Sequence, residues 1–203
     1  MTVKQATPEH PIHDLIAQRW SPYAFADRDV SVACLRSLFE AARWSPSSYN
    51  AQPWSYLVAT RDDPAEHARL LACLLEPNQL WARHAPVLAL GVVSHDFAHN
   101  GQPNRAALHD LGLAAANLSL EATARGLVVH QMIGIDPEKA RETYGIPARS
   151  EALTGLAIGY LGDPAALPEH LRERDLRPRQ RKPLAEFVFS GAWGQASPLV
   201  AVG

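Results

Sequence analysis

Ser45-Pro46-Ser47-Ser48-Tyr49-Asn50-Ala51-Gln52-Pro53-Trp54 is the stretch on which the reading of this chain turns. Pro46 and Pro53 restrict the backbone and remove two N–H donors, so the segment is expected to be a stiff connector. Between the prolines, Ser47, Ser48, Asn50 and Gln52 offer hydroxyls and amides that both donate and accept hydrogen bonds. So polar a run cannot be core, and loops carried by rigid neighbours commonly hold binding groups. Taken alone, it would also suit an ordinary surface connector stabilised by Asx or serine turns.

The periodicity changes across this loop. Upstream, Val32, Leu35, Phe39 and Ala42 fall on one face of a helix that Asp29 is placed to cap. Before it, Ile12, Leu15, Ile16 and Arg19 keep helical spacing between Pro11 and Trp20. Downstream, Tyr56 to Thr60 reads as a buried strand, and a helix then runs from Asp62-Asp63-Pro64 to about Leu75, where Pro77 ends it. Pro86 to Val93 is an uncharged run between a proline and a polar turn, the strongest strand candidate.

Asn104 to Arg125 predicts the longest helix, with Leu108, Leu111, Ala115, Leu118 and Ala122 at helical spacing. Leu113, Ala114 and Leu120 make its other side apolar as well, which suits a helix that is central or shared with a second subunit. Gly126 ends it, and Leu127 to Val129 reads as a short strand. Asp136-Pro137 opens a helix ending near Gly145, and Leu153 to Leu161 reads as a further strand. Arg172 to Pro183 reads as charged and irregular, with a short apolar segment, Leu184 to Phe189, beyond it. Helices alternating with three or four strands place the chain in the α+β, or mixed α/β, class.

A chain of 203 residues is expected to form one domain, residues 1–203, with a sizeable core. Nineteen basic against 21 acidic residues give a net charge of −2, so bulk electrostatics imply neither nucleic acid nor an anionic membrane as partner. The apolar runs fall far short of the roughly 20 residues needed to span a bilayer. Met1 to Pro8 lacks the basic-then-apolar order of a secretory signal. Cys34 and Cys73 read as two buried thiols, which suits a reducing cytoplasm.

His95 and His99 have a spacing that zinc can use on a helix, but no third ligand matches them, so a solvated turn and no metal site are expected. His109-Asp110 is expected to make a structural polar contact rather than a proton relay. No Gly-x-Gly-x-x-Gly run, Walker loop or Gly-x-Ser-x-Gly elbow is present.

The loop from Ser45 to Trp54 closely resembles the cofactor loop of the FMN-dependent nitroreductase-like superfamily, Pro-Ser-x-x-Asn-x-Gln-Pro-Trp. Further similarities follow in chain order from about Ile16 to Leu184. Arg19-Trp20-Ser21 resembles the family's Arg-x-Ser element, which holds the flavin phosphate and ribityl chain. Asp110 to Leu118 resembles its central helix, and Arg181-Lys182-Pro183-Leu184 its carboxy-terminal basic element.

The resemblance implies a three-layer sandwich with a central, mainly antiparallel sheet flanked by helices, and a long central helix at a dimer interface. It implies FMN as cofactor, NAD(P)H as electron donor and an electron-poor small molecule, such as a nitroaromatic or quinone, as oxidant in ping-pong turnover. A specialised flavin dehydrogenase, a flavin-fragmenting enzyme and a flavin-storing protein stay open beside that reductase. The implied cofactor residues are Arg19, Trp20, Ser21, Pro46, Ser47, Ser48, Asn50, Gln52, Gly134, Arg181 and Lys182, in a homodimer whose loop serves the partner's flavin. Arginine and lysine suit a phosphate, and serine, asparagine and glutamine suit ribityl hydroxyls and the ring edge.

Two departures stand out. Tyr23 replaces a basic residue that the family often carries, and Val129-His130-Gln131-Met132-Ile133-Gly134-Ile135 replaces a Pro-x-Gly-Gly segment near the reactive flavin nitrogen. His130 is therefore a candidate proton donor, and Gly134 a candidate for close backbone approach.

Overall fold

In the computed structural model, residues 4–200 are described; the first three residues of the Met1–Pro8 stretch and the last three of the chain lie outside them. Four strands, β1 (Trp54–Thr60), β2 (Val87–Ser94), β3 (Val128–Met132) and β4 (Ser150–Gly159), form one sheet in the order β1-β2-β4-β3. Every pairing is antiparallel. The helices are α1 (Asp14–Gln18), α2 (Val32–Arg43), α3 (Pro64–Leu71), α4 (Glu76–Ala82), α5 (Ala107–Ala124), α6 (Pro137–Tyr144) and α7 (Glu169–Leu176).

The uncharged run in β2 is explained by helices on both sheet faces. Val87 and Ala89, with Leu156 and Ile158 of β4, pack against Leu35 and Leu38 of α2 and Leu118 and Ala122 of α5. Leu88 and Leu90, with Ala157, face Leu70, Leu74, Trp81 and Ala140 on the other side. The result is the α/β/α sandwich implied by the resemblance, and each fully buried leucine contributes about 1.5–3 kcal/mol. A bulge follows Gly91, where an added Cβ would lie 2.8 Å from Thr154 Cγ2 and 3.3 Å from Leu111 Cδ1. That close approach lets α5 lie directly on the sheet.

Several boundaries depart from the sequence reading. Ser31, not Asp29, caps α2, its hydroxyl accepting from Cys34 N at 3.2 Å; Asp29 faces Arg61 instead. Pro77 does not end a helix but lies in the first turn of α4, where its missing N–H costs nothing. α1 is only five residues long, and Ile12 and Ile16 are 42% and 50% exposed rather than packed inward. The stretch from Arg172 is not wholly irregular: α7 covers its start, and the extended Arg177 before Pro178 ends that helix. Cys73 is buried as expected, but in the turn after α3, and Cys34 is half-exposed. No helix among the described residues is long and apolar enough to cross a membrane.

Candidate functional site

The loop after α2 is stiff, though prolines are only part of the reason. Ser48 to Asn50 make one 3-10 turn, and Tyr49, Asn50 and Gln52 adopt left-handed φ of 52°, 51° and 48°. Left-handed backbone is costly for residues with a Cβ, and it persists where the surroundings impose it. The imposing contacts are local and distant. Ser47 Oγ accepts from Gln52 N at 3.0 Å, Gln52 Nε2 donates to the Asn50 carbonyl at 3.1 Å, and Ser48 N donates to Asp110 Oδ2 of α5 at 3.1 Å. Pro46, Asn50 and Gln52 are exposed, and Ser47 and Ser48 half-buried.

A cleft of about 770 Å³ gathers Arg19, Arg179, Arg181 and Lys182 beside Ile12, Ile16 and Phe187. Segments more than 150 positions apart in the chain thus supply one cationic surface. Arg19 Nη1 donates to Ser21 Oγ at 3.4 Å, which groups the hydroxyl with the guanidinium. Burial and the nearby Arg181 push the Arg19 pKa below its ordinary value; burial, Arg19 and Arg181 do the same to Arg179. The cations therefore repel one another, and a bound anion would relieve that repulsion. Trp20 is buried, with the Lys4 ammonium 4.9 Å from its ring centroid.

A second cleft of about 350 Å³ lies between α5 and the β3–β4 edge, and Leu108, Gly112, Ile133 and Leu153 make it apolar. Gln131, also on its wall, is held by Nε2 bonds to the Ala115 carbonyl at 3.1 Å and Ser119 Oγ at 2.9 Å. β3 supplies Gln131 and Met132 to this second cleft. His130, the residue before Gln131, reaches the opposite way and bonds through Nδ1 to the Pro22 carbonyl at 2.9 Å, next to the Arg19–Ser21 segment. A carbonyl can only accept, so Nδ1 carries the proton. The ring lies 4.4 Å from Trp81 and 4.7 Å from Tyr23, centroid to centroid, and lines neither cleft.

The sequence-predicted residues thus separate into groups. Arg19, Ser21, Arg181 and Lys182 come together; Pro46, Ser47, Ser48, Asn50 and Gln52 line neither cleft of their own chain. Gly134 faces Asn78, whose Nδ2 would lie 2.3 Å from an added Cβ and which donates to the Gly134 carbonyl at 2.9 Å. Sequence reading missed Arg179, although its spacing of two from Arg181 places both on one side of an extended segment. It also missed that Asp110 anchors the loop, having read only a structural contact there. His95 bonds Glu151 at 3.0 Å, a structural pairing.

A model of the Nitroreductase family matches residues 16–160. A Stenotrophomonas maltophilia protein, whose name couples NADH dehydrogenase with NAD(P)H nitroreductase, is 32% identical over 165 residues, 71% of this chain and 81% of that one. An uncharacterised 15.4 kDa protein of Mycolicibacterium smegmatis is 39% identical over 124 residues, 61% of this chain and 82% of its own. A crystal structure described as an oxidoreductase containing FMN superposes with a TM-score of 0.89 at 33% identity, covering 95% of this chain and 98% of that one. A Clostridium difficile nitroreductase family protein, at 22% identity, shares the fold with a TM-score of 0.68, over 88% of this chain and 96% of its own.

Proposed function

Because the chain belongs to the nitroreductase family, we propose that it is an FMN-dependent oxidoreductase that draws on NAD(P)H and reduces nitroaromatics, quinones or related electron-poor small molecules. The observation that carries this reading is the convergence of Arg19, Arg179, Arg181 and Lys182 on one cleft. A flavin phosphate needs such a set, and charge-assisted bonds to it are roughly twice as strong as neutral ones. The donor set fits the rest of FMN too: Ser21 suits the phosphate or ribityl chain, and the apolar cleft along α5 suits one face of the ring.

Bound there, FMN would supply the chemistry, accepting a hydride from the nicotinamide and returning two electrons to the oxidant. The chain's own task is to bind, orient and shield. Arg19, Arg181 and Lys182 would fix the phosphate end, while Leu108, Gly112 and Ile133 would wall the ring and keep water off that side. Donor and oxidant would occupy the open face in turn, so ping-pong kinetics are expected. His130 points its protonated nitrogen at Pro22, so proton supply falls to water in this reading.

Residues 1–203 would act as one FMN-binding domain in a cytoplasmic homodimer. The loop of Ser47, Ser48, Asn50 and Gln52, which lines neither cleft of its own chain, would complete the partner's. Trp44 and Ile133, 73% and 78% exposed, and Leu108 at 49% supply the apolar surface that a partner would cover.

The test is flavin affinity. Arg19→Ala and Arg181→Ala should each weaken FMN binding by about 1.5–3 kcal/mol. Asn50→Ala should alter flavin affinity or reduction more than Gln5→Ala in the exposed amino-terminal tail. Unchanged affinity in both arginine variants would overturn the phosphate assignment.

A further inference from the structure

Residues Arg19 to Ala24 form neither helix nor strand, yet Trp20, Pro22 and Ala24 are buried. Buried backbone without a ladder has to find its partners elsewhere. Besides the bond from Gly162 N to the Ala24 carbonyl at 3.0 Å, side chains from three distant parts of the chain hold this segment and the residues before it. From α7, the Asp175 carboxylate accepts from Tyr23 N at 2.9 and 3.1 Å and from Ala24 N at 3.2 Å. From β3, His130 donates to the Pro22 carbonyl. From the carboxy-terminal segment, Arg179 donates to the Ala17 carbonyl and, at 3.1 Å, to the Lys4 carbonyl.

These latches fall on residues 17 and 22 to 24, so they bracket Arg19 and Ser21. The bracketing answers an electrostatic problem. Arg19 lies against the like charges of Arg179 and Arg181, which would push a loose segment out of the cleft before any anion arrived. Holding it in place beforehand removes that ordering cost from the binding step.

The holding groups carry little other duty. Asp175 is 3% exposed, and among the described residues its side chain binds only the Tyr23 and Ala24 amides. His130, packed between Trp81 and Tyr23, is kept neutral by burial, which pushes its pKa below the ordinary value, and so keeps a single donor directed at Pro22. We propose that Asp175 and His130 are positioning residues that fix the Arg19–Ser21 segment so that its guanidinium and hydroxyl meet the flavin phosphate. The inference rests on the FMN reading above, and neither residue lines the cationic cleft.

A role exerted through the phosphate grip separates FMN from riboflavin, which lacks the phosphate. Dissociation constants for both flavins, measured on flavin-depleted full-length protein, should shift unequally. Asp175→Asn and His130→Phe, the latter keeping an aromatic ring but no donor, should each weaken FMN about tenfold and riboflavin less than about twofold. His130→Gln, which restores an N–H donor, should recover part of the FMN loss. Equal losses for the two flavins would mean a general structural role and overturn the proposal. So would an unchanged FMN-to-riboflavin ratio in both variants while Arg19→Ala lowers it. If Arg19→Ala also leaves the ratio unchanged, the phosphate assignment itself fails and takes the inference with it. Should Asp175→Asn not fold, the two His130 variants decide the question.

Discussion

At the scale of single residues, chemistry was legible where it followed from residue type and hidden where it followed from distance. Arg19, Ser21, Arg181 and Lys182 suit a phosphate by type, and the fold gathers them. Asp110 and Asp175 gave no such cue, because their partners lie 62 and about 150 positions away, and no periodicity encodes such a contact. His130 read as an acid from its position, but its surroundings favour the neutral ring. The sign of the consequence is fixed. The folded pKa lies below the ordinary 6.5, so the stability linked to His130 is full above 6.5 and falls as pH drops through it toward the lower folded value. Urea midpoints compared at about pH 7.5 and pH 5.5 should therefore fall less in His130→Phe than in the parent chain. An identical fall in both would show that His130 titrates alike in the folded and unfolded states.

At the scale of elements, β2 and α5 were the easiest to read, because a long uncharged run and an alanine-rich helical pattern survive small errors of boundary. α7 escaped notice for the opposite reason: only Leu171 and Asp175 of its eight residues are buried, so there is no apolar stripe to detect. The end of β4 holds a constraint that could not be read from spacing. Phe25 bridges to Leu161, and an added Cβ on Gly162 would lie 2.5 to 2.7 Å from Phe25 backbone atoms. Backbone yields less than a side-chain tip, so Gly162→Ala should destabilise by about 3 kcal/mol or more, measured by denaturant unfolding. A variant as stable as the parent would show that the Phe25 segment is free to move, and would also weaken the case for a rigid Arg19 mount just upstream.

At the scale of the whole molecule, the class was legible from alternating elements, whereas the antiparallel sheet came only from the family resemblance, and assembly from that resemblance together with the apolar breadth of α5. Ile12, Ile16, Trp44, Leu108 and Ile133 are exposed, so uncovered apolar side chains are not confined to that helix. Obligate interfaces commonly bury more than about 2,000 Å² in total. Sedimentation equilibrium of the FMN-loaded protein should give twice the chain mass, and a fully active single-chain species at about micromolar concentration would contradict a shared site. The account stands or falls, however, on whether the clefts hold a flavin that the nicotinamide can reduce. The direct measurement is anaerobic titration of the FMN-loaded protein with NADH or NADPH, followed in visible absorbance. Bleaching of the flavin band by one of them, reversed when a quinone or nitroaromatic is added, is the expected result. A protein that takes up no FMN, or whose bound flavin stays oxidised with both nucleotides, would contradict it.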